Sequence, residues 1–355
     1  MPLWASLTPI AASALLIAAL LLPGSLALAI ACVAALLGAV IAAVHHAEVI
    51  AHRLGEPFGA LVLAVSITTI EVALIVTLML TGGPDQATLP RDTIFSAIMI
   101  ACNGVIGLCM LIGALRHQEQ AFRVVGNTAA LAALIALTTL SLVLPTFTTS
   151  SARATYTSAQ LTFAALASLL LWGTFVFVQT VRHRDYFLPI ENRADEQVHA
   201  ATPSAAVAWV SFGLLFVALT AVVGLAKLLS PSIETAVAAA GAPKGVISVA
   251  IALLVLLPET SAALRAAWAD RLQTGLNLAL GSALASIGLT IPAVALTSML
   301  IGVPLLLGLD AKDLILLLLT FFITLITFVS GRGHVMMAAV HLVIFGAFLF
   351  LALVP

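Results

Sequence analysis

The chain has 355 residues, 62% of them hydrophobic and only 8% charged, with a formal net charge of −1 at pH 7. Soluble domains run at about 45–50% apolar and about 25% charged, so a chain with a mean hydropathy of +1.21 needs the bilayer as its solvent. The near-zero charge leaves no basic footprint for nucleic acid, and neither a Walker sequence nor a glycine-rich phosphate loop suggests a nucleotide.

Eleven apolar stretches approach the roughly 20 residues that cross a bilayer. They run near 4–22, 25–45, 58–81, 93–115, 123–145, 156–181, 206–229, 244–264, 275–297, 313–331 and 334–354. Breakers separate them, at Pro23-Gly24, Gly82-Gly83-Pro84-Asp85, Ser230-Pro231 and the polar run from Asp310 to Asp313. The first stretch lacks the basic start and small-residue cleavage site of a secretory signal and reads as a retained span. Cys32, Cys102 and Cys109 sit in apolar segments and read as small core fillers. The expectation is an all-α polytopic membrane protein of about 11 transmembrane helices.

The basic residues divide unevenly. Nine of the fourteen, among them Arg53, Arg116, Arg123, Arg182, Arg265 and Arg332, fall on the side of the N-terminus. Arg91, Arg153, Lys227, Lys244 and Lys312 fall on the other. The positive-inside rule then puts the N-terminus in the cytoplasm and the C-terminus outside. The charged stretch 182–205 becomes a cytoplasmic connector, read as a solvated linker.

Two segments resemble each other. Gly55-Glu56-Pro57-Phe58-Gly59 opens the third span and Gly241-Ala242-Pro243-Lys244-Gly245 opens the eighth, each reading G-x-P-x-G before an apolar run with one glutamate. Glu71 follows Gly55 by 16 residues and Glu259 follows Gly241 by 18. Five spans lie in each half, and an odd number of crossings inverts the second half relative to the first. This predicts two inverted five-helix repeats, 25–181 and 206–355, with residues 1–22 as an extra N-terminal helix. Secondary transporters of this kind hold substrate near the midplane, where the repeats meet.

Glu71 lies between the uncharged runs 60–70 and 72–80, and Glu259 between 246–258 and 260–264. A carboxylate at that depth costs several kcal/mol unless it is paired, hydrated or protonated. A divalent cation wants oxygen ligands, and two carboxylates cancel its charge. When the cation leaves, the carboxylates repel one another in poor solvent, and protons take its place. Such a site holds metal or protons but not both, which is the physical basis of antiport. Further oxygens lie near: Ser66, Thr68 and Thr69 before Glu71, Thr260 and Ser261 after Glu259, Asn103 in the fourth span, and Ser282 and Ser286 one turn apart in the ninth. Most intramembrane hydroxyls bond a backbone carbonyl or a neighbouring helix, whereas an unpaired amide is costlier, which singles out Asn103. Pro258, directly before Glu259, frees a helix carbonyl, and an unwound turn there would offer backbone oxygens.

From Gly55 to Leu63-Ala64 and Thr69-Ile70-Glu71-Val72-Ala73, and again through Leu257-Pro258-Glu259-Thr260-Ser261-Ala262 and Leu278 to Pro292, the chain resembles the cation/proton exchanger family of the calcium/cation antiporter superfamily. The resemblance extends over nearly the whole chain. It implies essential glutamates at Glu71 and Glu259, which would serve as both cation and proton ligands, with polar helix positions at Cys102-Asn103 and Gly281-Ser282. It implies a multi-pass protein of the bacterial cytoplasmic (inner) membrane exporting Ca2+ against H+ by alternating access. Its ligands are inorganic cations and protons carried as cargo, without a resident cofactor. The family's Gly-Asn before each glutamate is Ile67-Thr68 and Val255-Leu256 here, and a usual glutamine is Ala285. Losing those amides favours a branch that handles Na+ or K+ as well.

Histidines supply a competing reading. His45, His46, Glu48 and His52 end the second span; His45, Glu48 and His52 share a helix face at i,i+3 and i,i+4. Those three would suit an intramembrane metalloenzyme, or a proton-sensing face. The plainer reading is an interfacial face beside Glu56. His334 and His341 share a face of the last span, while His117, His183 and His199 fall in loops.

Overall fold

A computed structural model describes residues 1–22, 25–55, 58–82, 87–151, 154–188, 202–243, 245–303 and 305–354. The sequence readings at Pro23-Gly24, Glu56-Pro57, Gly83 to Asp85, Arg153 and Lys244 lie outside the described residues, as do Arg193, His199 and most of the connector. Eleven long helices form among those described: α1 (Leu3–Leu21), α2 (Leu26–Leu54), α3 (Phe58–Gly82), α4 (Leu89–His117), α5 (Val124–Phe147), α6 (Ser158–Arg182), α7 (Ala205–Ala239), α8 (Gly245–Trp268), α9 (Leu272–Ile301), α10 (Ala311–Ser330) and α11 (Val335–Leu353). Ten are long and apolar enough to cross a membrane, and α3 adds the shorter apolar segment Ala64–Leu80. The chain is an all-helical membrane protein.

Several helices outrun their apolar stretches. The expected stop at Ser230-Pro231 is passed, and α7 continues to Ala239. A proline removes one intrahelical hydrogen bond, but the helix on either side keeps its own. The true stops are glycines with positive φ. Gly55, φ 67°, caps α2, and Gly241, φ 64°, follows α7. Beyond Gly241 the Ala242 N–H returns to the Val237 carbonyl at 3.0 Å, closing the helix end as left-handed glycine caps do. Both are the first glycine of a G-x-P-x-G segment, so the two segments share a positive φ at that position.

The chain forms two compact units, each drawn from both halves of the sequence. Unit 1 takes Met1–Gln86 and Ala194–Lys244. In it α2 packs on α1, α3 and α7, and α7 also meets α1 and α3. Small residues make this possible. Helix α1 buries Ala5, Pro9, Ala12 and Ala19 along one stripe. A Cβ on Gly38 would stand 2.8 Å from the Thr8 methyl, and one on Gly224 would overlap Leu16.

Unit 2 takes Ala87–Arg193 and Gly245–Pro355. Helix α4 lies at its centre against α8, α9 and α11, while α9 also packs on α5, α6 and α8. Three helices contain π turns, at Ile100–Val105 in α4, Thr139–Val143 in α5 and Val178–Arg182 at the end of α6. One end of the unit is tied by a two-residue ladder. Gln120–Ala121 pairs antiparallel with Arg332–Gly333, joining the α4–α5 and α10–α11 loops. Beside it Gln273 accepts from the Arg123 N–H at 2.7 Å and donates to Asn127 and Asn277 at 3.1 and 2.8 Å. At another place in the unit the extended residues 305–310 bond to the Ala87, Leu142 and Ala154 backbone.

Candidate functional site

Glu71 sits in α3 of unit 1 and is only 3% exposed. Thr68, three residues earlier and on the same helix face, is buried with it, and so is Ser66. Thr69 lies nearly opposite Glu71 around the helix. It is exposed and its hydroxyl donates to the Val65 carbonyl at 2.7 Å. This is the back-bonded state usual for a threonine facing outward.

Glu259 belongs to α8 of unit 2 and is half-buried, as is Thr260. The unwound turn expected at Pro258 does not form, because α8 runs through it from Gly245 to Trp268. Proline still removes the N–H that would have bonded the carbonyl one turn earlier. Ser261 is committed to the helix, its hydroxyl donating to the Pro258 carbonyl at 2.7 Å.

The non-α backbone lies in α4 instead, at the π turn that carries Asn103. Such turns widen a helix by one residue and recur at functional sites. This one touches α8, α9, α10 and α11. Asn103 is fully buried. Its amide nitrogen donates to Thr320 Oγ1 of α10 at 2.9 Å, and its oxygen lies 3.2 Å from His341 Nδ1 of α11. On α9, Ser286 is buried and Ser282 half-buried. Unit 2 therefore gathers Glu259, Thr260, Asn103, Ser282 and Ser286 on helices that pack on one another, while Glu71, Thr68 and Thr69 belong to unit 1. The sequence reading missed the π turn and the partners Thr320, Thr327 and His341. The available signals were a histidine deep in the last span and threonines at i, i+4 and i+7 in the tenth.

The histidine cluster of α2 corrects the metalloenzyme alternative. His46 places Nε2 2.9 Å from the Ala5 carbonyl of α1, and the His45 ring rests 5.1 Å from that of Trp4. Glu48 and His52 point to the exposed side. Among the described residues no three His, Cys, Asp or Glu side chains gather as a metal site. The two histidines instead hold α1 on α2.

Known proteins agree with this architecture. The family model described as sodium/calcium exchanger protein matches residues 24–181 and 210–354. The protein y4hA of Sinorhizobium fredii is 47% identical over 100% of this chain and 97% of its own length. The sodium-potassium/proton antiporter ChaA of Escherichia coli is 34% identical over 92% of this chain and 89% of its own. The solved Ca2+/H+ antiporter protein YfkE shares only 14% identity, yet superposes with a TM-score of 0.74 over 100% of both chains, a likeness of fold. With a match over both halves and apolar helices that each carry one buried or half-buried acid, the chain belongs to the sodium/calcium exchanger family, as a multi-pass cation antiporter and not an enzyme.

Proposed function

We propose that the chain exchanges cations for protons at a site shared by Glu71 and Glu259, carrying Ca2+ and also Na+ or K+ out of the cell. The observation that carries this reading is one carboxylate inside each of two apolar helices that follow a glycine of positive φ. Glu71 is 3% exposed, a costly position for an ionised group that lacks a cation or proton. The caps at Gly55 and Gly241 share positive φ values of 67° and 64°, which supports two repeats at 25–181 and 206–355. The family model's two matched stretches, 24–181 and 210–354, support the same division. An odd number of spans per repeat makes the repeats inverted, and inverted repeats place their cargo at the midplane.

The chemistry follows from competition. A cytoplasmic cation displaces protons from the two carboxylates, with Asn103, Thr68, Ser282, Ser286 and Thr260 supplying neutral oxygens. A rearrangement of helices opens the site outward, the cation leaves, and protons refill the carboxylates for the return. Where the family pattern that the sequence resembles has Gly-Asn before each glutamate, this chain has Ile67-Thr68 and Val255-Leu256. Fewer amide oxygens suit a weakly charged cation, and the 34% identical relative is named for sodium, potassium and protons. The uneven basic residues support an inner-membrane orientation with the N-terminus in the cytoplasm.

The test is cation-induced proton release in everted vesicles, screened over Ca2+, Na+, K+ and Mg2+. Glu71→Gln and Glu259→Gln should each abolish exchange while the protein still inserts. Normal exchange by either variant would remove that glutamate from the site.

A further inference from the structure

We infer that His341 is a positioning residue for the cation site, holding the carboxamide oxygen of Asn103 in a fixed direction. The inference deepens the reading above and rests on Asn103 belonging to that site.

One self-consistent set of hydrogen-bond directions around Asn103 follows from Thr320, whose hydroxyl is nearer the Leu316 carbonyl than the Met99 sulfur at 3.3 Å. Thr320 Oγ1 lies 2.7 Å from the Leu316 carbonyl, which can only accept, so the hydroxyl hydrogen is spent there. The Thr320 oxygen is then an acceptor for the Asn103 amide nitrogen at 2.9 Å. That sets the amide's other end, its oxygen, toward His341 Nδ1 at 3.2 Å. An amide oxygen only accepts, so Nδ1 carries the proton. In the neutral ring Nε2 is then the acceptor, and Thr327 Oγ1 donates to it at 3.0 Å. One chain of bonds thus runs from Thr327 through His341 and Asn103 to Thr320, and every member is 0% exposed.

Packing holds the ring in place. Glycines on α4 let α11 approach closely: a Cβ on Gly107 would lie 3.1 Å from the His341 Cβ, and one on Gly104 would meet the Phe345 ring at 3.3 Å. Asn103 sits in the π turn where α4 touches α8 and α9, the helices of Glu259, Ser282 and Ser286. An amide has two faces of opposite sense. Its oxygen attracts a cation and its NH2 repels one, and nothing in its shape favours either. With Thr320 accepting from the NH2, the N–H of His341 fixes the oxygen at its other end and occupies one of its two lone pairs; in this proposal the second lone pair is the one offered to a cation. His341 itself touches no cargo and acts through Asn103.

The full chain in proteoliposomes tests this, with Ca2+ and Na+ as the probes and proton flux as the readout. His341→Gln keeps a polar group at the Nε2 position and removes the donor at Nδ1. It should raise the half-saturating cation concentration about tenfold, the scale of one lost buried hydrogen bond, with little change in maximal rate. His341→Asn places an amide nitrogen where Nδ1 stood and should return that concentration to within about twofold of the parent. Only variants that elute as a single species on gel filtration are compared, and both carry side chains near histidine's size and polarity. Asn103→Ala separates the two levels of the inference. If Asn103→Ala raises the half-saturating concentration and both histidine variants leave it unchanged, the positioning role is overturned and the site reading stands. Equal damage by both histidine variants also overturns it, leaving His341 as packing alone. If Asn103→Ala has no effect, Asn103 leaves the site and the positioning role goes with it.

Discussion

The two units are held together by different means. In unit 2 polar side chains cross from helix to helix and from loop to loop. Gln273 ties Arg123, Asn127 and Asn277, Asn277 reaches the Phe187 carbonyl at 2.6 Å, and Gln120 reaches Asp270 at 2.6 Å. Arg91 bonds the Gly308 carbonyl at 2.8 Å. Among the described residues unit 1 packs through alanine and glycine surfaces, with polar ties such as His46 to Ala5, and Arg53 to the Pro203 carbonyl at 3.2 Å. In lipid there is little hydrophobic drive between helices, so close packing and hydrogen bonds do the holding. Directional bonds fix a register, whereas small-residue surfaces fix it only through shape. A unit of the second kind adjusts its helix positions at lower cost. On this contrast we expect unit 2 to be the more rigid and unit 1 the more adaptable.

That contrast can be broken by substitution. The largest stability effect should come from Gly288→Ala in unit 2, where the new Cβ would lie 2.6 Å from the Trp172 Cβ. Overpacking costs about 1–3 kcal/mol, read as a clear fall in the thermal midpoint of the detergent-purified protein. An unchanged midpoint would mean that the α6–α9 contact yields freely, contrary to a rigid unit 2. Next, Gln273→Ala removes three hydrogen bonds and strands buried partners, at a cost of about 1–3 kcal/mol. Hydrogen exchange should show the loss concentrated near Arg123 and Asn127. His46→Phe, which breaks the tie to Ala5 in unit 1, should cost less, about 0.6 kcal/mol for an average bond of this kind in a membrane protein. A loss as large as that of Gln273→Ala would erase the distinction between the units. Smallest of all, Thr69→Val should leave midpoint and cation-driven proton release unchanged, because its hydroxyl is exposed and satisfied within its own helix. A shifted half-saturating concentration would return Thr69 to the site.

The fold was legible in the sequence because the bilayer imposes a simple rule. Each crossing needs a long apolar run, and such runs were visible one by one. The family was legible in the Gly55 and Gly241 segments and in the two glutamates, where an acid deep in an apolar run is costly enough to need a reason. The sequence did not show where helices stop, because proline breaks a helix only when the surroundings allow, and Ser230-Pro231 lies inside α7. It did not show the π turn at Asn103, since one extra residue per turn leaves no mark on an all-apolar pattern.

What the sequence determined by itself was membrane residence, the number of long helices and the places of the two acids, all set by local transfer energies. Tertiary structure decided which hydroxyls are spent on their own backbone, why His46 serves α1 and not a metal, and how His341 comes to hold Asn103. Those outcomes depend on partners 41 and 238 residues away along the chain. Direction and distance between such groups exist only once the helices have packed.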